Sequence, residues 1–298
     1  MNGEDRARLL HAMTTNHIQQ LEPGQGCYAF FLNAQGRILG DVNVLCRADH
    51  LLLDTEPEIA EKLYRHLDQF IIADDVTLED ETASLATIAV EGPRSAEVLA
   101  AAGAHLPDAG YSQSEWGSRL VARISLTGSC GFQVIGPAAE RDETVRALEA
   151  AGAAPADAEA FRVARLENGK PRYGEDISER YLAQETNQMQ ALHFSKGCYL
   201  GQEIVERVRS RAQIHRRLWP LIIDTDRAPD AGAKLMVDDK PAAEITSAAF
   251  SPSLGKVVAL AYVRVEFERA GTELSLAGAK ATVVAGPPIP TPESADCR

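Results

Sequence analysis

Lys196-Gly-Cys-Tyr-Leu-Gly-Gln-Glu203 is the stretch of this sequence that carries the most information about its fold. It leads into Ile204–Arg211, whose composition favours a helix. A thiol just before a helix is stabilised as thiolate by the positive end of the helix dipole, and a nearby lysine adds a second favourable charge. Cys198 is therefore a candidate reactive thiol. The alternative is that it packs as a small apolar side chain.

Upstream of this motif, strand-like runs alternate with helical patterns. Cys27–Leu32 and Arg37–Cys46 are rich in aromatic and aliphatic residues and are separated by a short polar connection, which predicts a hairpin. Leu9, Leu10, Met13 and His17 follow helical spacing and predict one helix from Arg6 to Gln20. Strands alternating with helices and hairpins indicate an α+β fold class.

Around and beyond the motif the pattern changes. Gly169 to Gly201 is polar with little periodicity, and a loop of that length inside a folded chain is often functional. From Leu218 onward, short β-like runs separated by turn residues predict a small β-barrel or sandwich. These runs are Leu218–Ile223, Lys234–Val237, Ala243–Ala249, Lys256–Val265 and Glu273–Val284.

The composition excludes several classes of function. A net charge of −13 argues against general nucleic-acid binding, although residues 162–217 carry 11 Lys or Arg against 7 Asp or Glu. The absence of a long apolar run and of a recognisable targeting signal predicts a cytoplasmic protein without membrane insertion. Five cysteines without a CxxC pair indicate neither a disulfide framework nor a metal site.

The motif and several other segments resemble the YgfZ folate-binding family, which is related to the glycine-cleavage T-protein. Besides Lys196–Glu203, the resemblance is carried by Thr15-Asn16, Gly24–Gly26, Leu32–Asp41, Arg165–Gly169, Pro171–Ile177, Glu185, Thr246-Ser247 and Leu260–Arg264. It covers nearly the whole chain. Two departures are His17, where an aspartate is common, and a start that lacks the strand with which family members usually begin.

The resemblance implies a T-protein-like cloverleaf around a central channel that holds tetrahydrofolate or a reduced one-carbon derivative. Residues 1–83 and 156–215 would form an N-terminal α+β folate-binding region, and residues 84–155 a second, ferredoxin-like α+β unit. Residues 216–298 would form the C-terminal β-barrel with an extended tail. The fold class is therefore expected to be two α+β units with a small barrel.

The resemblance also suggests site residues. It places Asp41 near the folate nitrogen as a second catalytic candidate in addition to Cys198, and Glu167 on the pterin, where an ionised carboxylate accepts two N–H bonds. Strict alternation along the strand Arg37–Leu45 puts Asp41 and Asn43 on one face, so both are expected in the channel. The further candidates for folate binding come from the motif: Lys196, Tyr199, Gln202 and Glu203. His193 has no partner at metal-ligand spacing and is expected to be structural.

Two functions compete at this point. The first is a folate-binding accessory protein, without turnover, that supports assembly or repair of iron–sulfur enzymes and has these enzymes or cluster-assembly proteins as partners. One cysteine cannot hold a cluster alone, so Cys198 would share it or contact it transiently. The alternative is a folate-dependent aminomethyltransferase, and the presence of Asp41 supports this hypothesis. A demethylase module of an oxidoreductase is weaker, because the chain has no Gly-rich dinucleotide fingerprint.

Overall fold

Three β-sheets organise the chain in the computed structural model, which describes residues 1–211 and 214–289. The first is antiparallel, with strands β1 (Gly26–Leu32), β2 (Ile38–Cys46) and β3 (Leu51–Asp54) in that order. Helices α1 (Arg6–Met13) and α2 (Pro57–Asp68) belong to the same unit. Burial alternates along β2, so Asp41 and Asn43 lie on the less buried face, opposite Val42 and Val44.

Helix α2 packs closely on β2 because residue 40 is glycine. A Cβ at Gly40 would lie 2.8 Å from Cδ1 of Ile59 and 3.0 Å from the methyl groups of Leu63. Both are buried residues of α2. The small residue therefore lets the helix cover one face of the sheet and leaves the opposite face, with Asp41, free for another partner.

The second sheet forms a separate α+β unit. Its strands are β4 (Leu85–Glu91), β5 (Gln113–Trp116), β6 (Arg119–Ala122) and β7 (Gly131–Pro137), in the order β4-β7-β6-β5. Helices α3 (Ser95–Ala101) and α4 (Arg141–Ala150) accompany it. The sequence did not predict β5, because a short polar edge strand carries no apolar alternation.

The third sheet is a closed six-stranded barrel, ordered β10-β11-β8-β13-β12-β9. It confirms the predicted fold class of α+β units with a C-terminal barrel. The predicted strand Glu273–Val284 is in fact a hairpin, because Ala277 and Gly278 both adopt positive φ and turn the chain. The strands are β8 (Arg216–Ile223), β9 (Lys234–Val237), β10 (Lys240–Ser251), β11 (Lys256–Arg264), β12 (Glu273–Leu276) and β13 (Ala279–Val283).

Helix α5 (Ala158–Glu167) and the segment after it join the barrel to the rest of the chain. The carboxylate of Asp176, fully buried, accepts hydrogen bonds from Nη1 of Arg165 at 2.8 Å and from the hydroxyls of Thr246 and Ser247 at 2.5 Å each. Tyr262 donates to the backbone oxygen of Asp176 at 3.0 Å. The chain is irregular here because hydrogen bonds to side chains, rather than the backbone hydrogen bonds of a helix or sheet, satisfy its polar groups.

Two expectations about the N-terminal unit need correction. Helix α1 ends at Met13 rather than at Gln20, because Thr14 forms a β-bridge with Phe31 and Thr15 donates to the carbonyl of Ala191 at 2.6 Å. The polar segment from Gly169 to Gly201, which was expected to be a long loop, contains short helices. Two short 3-10 helices, Ala183–Thr186 and Met189–Ala191, pack part of it into the core of the first unit.

Helix α6 (Gln202–Arg211) completes the described elements. In the described part of the chain, every helix is too short or too polar to cross a bilayer. The extended tail that was predicted after the barrel continues past Ile289, outside the described residues. The predicted domain boundaries, which assign residues 156–215 to the N-terminal region, stay predictions.

Candidate functional site

Asp41 and Tyr28 form the centre of the candidate site. Strand pairing sets Tyr28 opposite Asn43 and Phe30 opposite Asp41, so Tyr28 and Asp41 are diagonal neighbours on one face of the sheet. The Tyr28 hydroxyl donates to Oδ2 of Asp41 at 2.6 Å. The Thr55 hydroxyl fixes the strand there by donating to the backbone oxygen of Asp41 at 2.7 Å.

The environment of Asp41 changes its acidity. Burial raises the pKa of Asp41 to about 6, the hydrogen bond from Tyr28 opposes that rise, and the charge of Glu56 adds to it. A carboxyl group that titrates close to neutral pH can both accept and release a proton under working conditions. Asp41 thus has the properties expected of a general acid or base.

A second polar group lies on the same face and joins the two α+β units. Oδ2 of Asp54, at the end of β3, accepts from the amide of Asn43 at 3.0 Å and from the amide of Gln133, on β7, at 3.3 Å. Burial raises the pKa of Asp54, and these two hydrogen bonds partly offset the rise. The two sheets therefore meet at Asn43 and Asp54, one residue along the face from Asp41.

A loop of the second unit borders the site from the other side. Glu91 holds this loop by accepting from the Ser125 hydroxyl at 2.7 Å, the Leu126 amide at 2.8 Å and the Thr127 hydroxyl at 2.6 Å. Gly128, at the loop tip, has a positive φ of 84°, and a Cβ there would lie 3.0 Å from Cβ of Lys170. The loop therefore packs against the stem of Lys170.

Lys170 brings a cationic group to the site. Its Nζ lies 5.6 Å from the centroid of the Tyr28 ring, within the range of a cation–π contact. Burial lowers the pKa of Lys170, while the charges of Asp41 and Glu91 act to raise it. Sequence reasoning missed Tyr28, Lys170, Asp54 and Gln133. Of these four residues, only Tyr28 could have been found from the sequence, because the register of the predicted hairpin sets it across from Asp41 and Asn43.

Glu167 lies where the helix α5 meets the barrel. Its Oε1 accepts from the Ser251 hydroxyl at 2.6 Å and the Ser253 hydroxyl at 3.3 Å, and its backbone oxygen accepts from the Ile289 amide at 3.0 Å. Lys170 follows three residues later in the chain. No hydrogen bond joins Glu167 to Asp41 within the ranges 1–211 and 214–289, and the role of Glu167 in pterin binding stays a prediction.

The motif around Cys198 makes its contacts with helix α1 and the residues that follow it. Nζ of Lys196, which is buried, donates to three backbone carbonyls, those of His11 at 2.5 Å, Thr14 at 2.5 Å and Asn16 at 2.7 Å. Burial lowers the pKa of Lys196 to about 7, and the charge of the Cys27 thiol opposes the fall. The lysine that was expected to activate Cys198 therefore binds carbonyls instead.

Cys198 itself is exposed, and its thiol is free. Helix α6 begins at Gln202, so the thiol precedes the helix by four residues rather than standing at its first turn. Tyr199 packs against the core of the first unit, and its ring lies 4.7 Å from Nζ of Lys196. The described contacts of Lys196, Tyr199, Gln202 and Glu203 do not include Asp41, and folate binding by these four residues stays a prediction.

His193, which was expected to be structural, lies beside another histidine. Its ring centroid lies 5.1 Å from that of His17, which lies 4.5 Å from that of His11. Burial and the charge of Lys196 lower the pKa of His11 to about 4. Even so, no group of three or more His, Cys, Asp or Glu residues in the described structure has the geometry to hold a metal ion.

Comparison with known proteins supports one family for the whole chain. Residues 1–196 match the family described as the GCVT N-terminal domain, and residues 216–289 match the glycine cleavage T-protein C-terminal barrel domain. An aminomethyltransferase from Rubrobacter xylanophilus is 30% identical over 273 residues, covering 89% of this chain and 73% of that protein. One from Rippkaea orientalis is 27% identical over 293 residues, covering 93% and 78%.

A solved structure agrees at the level of the fold. The crystal structure of glycine cleavage system aminomethyltransferase T from Bartonella henselae has a TM-score of 0.82 to this chain at 22% identity. The match covers 97% of this chain and 82% of that one. The two family matches and the site between the first two sheets lead to the same conclusion: the chain belongs to the glycine cleavage T-protein family.

Proposed function

We propose that this chain binds a reduced folate, tetrahydrofolate or a one-carbon derivative, beside Asp41 and transfers a one-carbon unit as an aminomethyltransferase-type enzyme. The observation that carries the proposal is the buried carboxyl group of Asp41, which Tyr28 holds at 2.6 Å and whose pKa is about 6. Relatives that are named aminomethyltransferase and match along most of the chain support the same reaction class.

The chemistry of such a transfer matches one poised carboxyl group. When methylene-tetrahydrofolate forms, two folate nitrogens bond to the aminomethyl carbon and each loses a proton, while the bonds from that carbon to the lipoyl sulfur and to the amine break. One proton goes to the departing sulfur and the other to the departing amine, which leaves as ammonia. Ionised Asp41 accepts a proton from a folate nitrogen, and its protonated form supplies that proton to the departing amine. Tyr28 fixes the direction of the carboxyl group, so little reorganisation is needed during the reaction.

The pterin contacts are part of this proposal. We place Glu167 and Asn43 on the pterin, because a carboxylate and an amide together match its row of N–H and carbonyl groups. Glu167 already accepts from two serine hydroxyls on one oxygen, and its second oxygen is the one proposed to accept from the ligand. Lys196, Tyr199, Gln202 and Glu203 keep a supporting role in folate binding.

Calorimetry under anaerobic, reducing conditions tests binding, and a single-turnover assay with a lipoyl-linked aminomethyl donor tests transfer. We expect the wild type to bind tetrahydrofolate and to form methylene-tetrahydrofolate. Asp41→Asn should still bind but lose transfer by about 100-fold, the usual contribution of one general acid–base group. Asp226→Asn, an exposed control, should behave as wild type. Binding without transfer in the wild type would refute the enzyme and leave a folate-binding protein.

A second candidate rests on the exposed thiol of Cys198. We propose, as the alternative, a YgfZ-type accessory protein that uses Cys198 on iron–sulfur enzymes or on cluster-assembly proteins. One thiol is too few for a cluster, so the partner would supply the remaining ligands. Complementation of cells that lack the protein separates the two candidates. The accessory role requires Cys198→Ser to lose iron–sulfur enzyme activity while it binds folate normally, whereas a transferase should tolerate that substitution.

A further inference from the structure

We propose that Lys170 selects the one-carbon form of the folate ligand. In this proposal the ammonium group donates a hydrogen bond to a carbonyl oxygen carried on the folate nitrogen beside Asp41. The site then prefers a formyl substituent to a methyl substituent. The inference rests on the folate binding proposed above and not on the identity of the group that is transferred.

Lys170 and Asp41 both contact the side chain of Tyr28. Tyr28 contacts the carboxylate of Asp41 through its hydroxyl group at 2.6 Å, and Nζ of Lys170 lies 5.6 Å from the centre of the same ring. The stem of Lys170 packs near Gly128, and the loop that carries Gly128 is held by Glu91. An ammonium group and a carboxyl group thus border one side of the site from different elements.

The ammonium group of Lys170 lacks an acceptor in the described part of the protein. Among residues 1–211 and 214–289, no hydrogen bond or ion pair involves its Nζ, and the atom is not among those sealed from solvent without a partner. Lys196 shows the contrast, because each of its three N–H groups has a backbone carbonyl. Lys170 therefore has three donors that a ligand can reach.

Asp41, the acidic residue beside Lys170, can also accept a further hydrogen bond from a ligand. Oδ2 of Asp41 accepts from Tyr28, but no side chain among the described residues donates to Oδ1, and that oxygen is likewise not sealed. A ligand that fits both groups presents a donor N–H to Asp41 and an acceptor oxygen to Lys170. A formyl group on a ring nitrogen next to a second, N–H-bearing nitrogen has this arrangement, whereas a methyl group offers no acceptor.

Charge and burial strengthen this preference. Burial lowers the pKa of Lys170 because its charge loses water, so an acceptor oxygen from a ligand restores part of the lost solvation. Sites built to hydrogen-bond a polar group discriminate strongly against analogues that lack it. A cationic one-carbon unit gains nothing from Lys170 and depends on the ionised form of Asp41.

The test is a set of dissociation constants measured by calorimetry for tetrahydrofolate, 5-formyltetrahydrofolate and 5-methyltetrahydrofolate. We expect the wild type to bind the formyl form about tenfold more tightly than the methyl form, as one hydrogen bond to a charged group provides. In Lys170→Met the two affinities should fall within about threefold of each other, with methyl binding nearly unchanged. Lys170→Arg should keep the preference, and Lys240→Met, an exposed lysine on β10, is the matched control.

Other outcomes would overturn the proposal. If Lys170→Met weakens all three ligands equally, Lys170 contacts a part of the folate that they share. If the wild type binds folates without preferring the formyl form, the proposal that Lys170 selects the ligand is wrong, while the proposed folate binding stands. If the wild type binds none of them, both proposals fail. Should Lys170→Met unfold, as a thermal melt would show, Lys170→Leu replaces it, because neither side chain can donate a hydrogen bond.

Discussion

At the scale of single residues, Asp41 combines two properties that oppose each other. Its buried position disfavours the charged form, yet the Tyr28 hydroxyl donates to the carboxylate and favours it. The net effect is a pKa of about 6 instead of the ordinary 3.8. A group held in this way reduces the stability of the fold at neutral pH, as is common where a side chain serves chemistry.

This balance gives a pH-dependent prediction for Asp41→Asn. The folded state holds a proton on Asp41 between pH 3.8 and about 6 that the unfolded state releases, so this residue makes the protein less stable as the pH rises through that range. Asparagine keeps an acceptor for Tyr28 and removes the charge. We expect its free energy of unfolding to exceed that of the wild type by about 2 kcal/mol at pH 8, with almost no difference at pH 4.

Urea unfolding at both pH values is the measurement, with Asp226→Asn as the exposed control. An equal effect of Asp41→Asn at pH 4 and pH 8 would show that the carboxyl group does not titrate as described. The comparison requires no ligand, so its result stands apart from that of the folate experiments.

The sequence predicted part of this site for a definite reason. Strand alternation depends only on neighbouring residues, so it correctly placed Asp41 and Asn43 on one face. Tyr28, Lys170 and Gln133 depend on register or on contacts between units, which no local pattern reports. The direction of the Lys196 side chain was unpredictable in the same way, because its carbonyl partners lie about 180 residues earlier in the chain.

At the scale of elements, the contact between α2 and β2 depends on the missing side chain of Gly40. Ile59, Leu63 and Leu67, all of which are buried, recur at helical spacing, so the sequence indicates the helix itself. It did not predict the close approach, since a glycine inside a strand has several explanations. The end of α1 was mistaken because the bridge from Thr14 to Phe31 outweighs the helical pattern of the local sequence.

We predict that Gly40→Ala destabilises the protein by about 1–3 kcal/mol, the usual effect of adding a methyl group to a filled core. The added Cβ would lie within 3.0 Å of both Ile59 and Leu63. Gly110→Ala is the matched control, because a Cβ there meets nothing within 4 Å. Thermal or urea unfolding measures both variants. Equal stabilities would mean that α2 shifts without loss of packing.

At the scale of the whole molecule, His11 changes the stability of the fold with pH in the direction opposite to Asp41. It belongs to a cluster with His17 and His193. Burial first, and then the charge of Lys196, lowers the pKa of His11 from 6.5 to about 4. The unfolded state therefore binds the extra proton first, and the stability that neutral His11 contributes is lost as the pH falls from 6.5 toward 4. The cluster links α1 to the segment that carries His193 and Lys196, so acid should weaken that junction.

His11→Asn tests this junction. Nδ1 of His11 accepts from the Ile18 amide at 3.3 Å, and an asparagine oxygen replaces that acceptor without titrating. Between pH 7.5 and 4.5 we expect the variant to lose about 2 kcal/mol less free energy of unfolding than the wild type. His105→Asn, at an exposed position, should follow the wild type. A variant curve parallel to the wild-type curve would exclude His11 as the titrating group.

Lys196 binds the carbonyls of His11, Thr14 and Asn16, so the first unit is complete only after a late segment of the chain has been synthesised. The core of the first unit contains residues from both ends of a long interval, such as Phe31 near its start and Leu192 and Val205 near its end. The second unit lies between them in the chain. At roughly 5–20 residues per second, the first sheet waits on the order of ten seconds or more for its remaining core. Nascent chains would therefore expose β1 and β2 during that interval, and chaperones would have to protect the oldest part of the polypeptide longest.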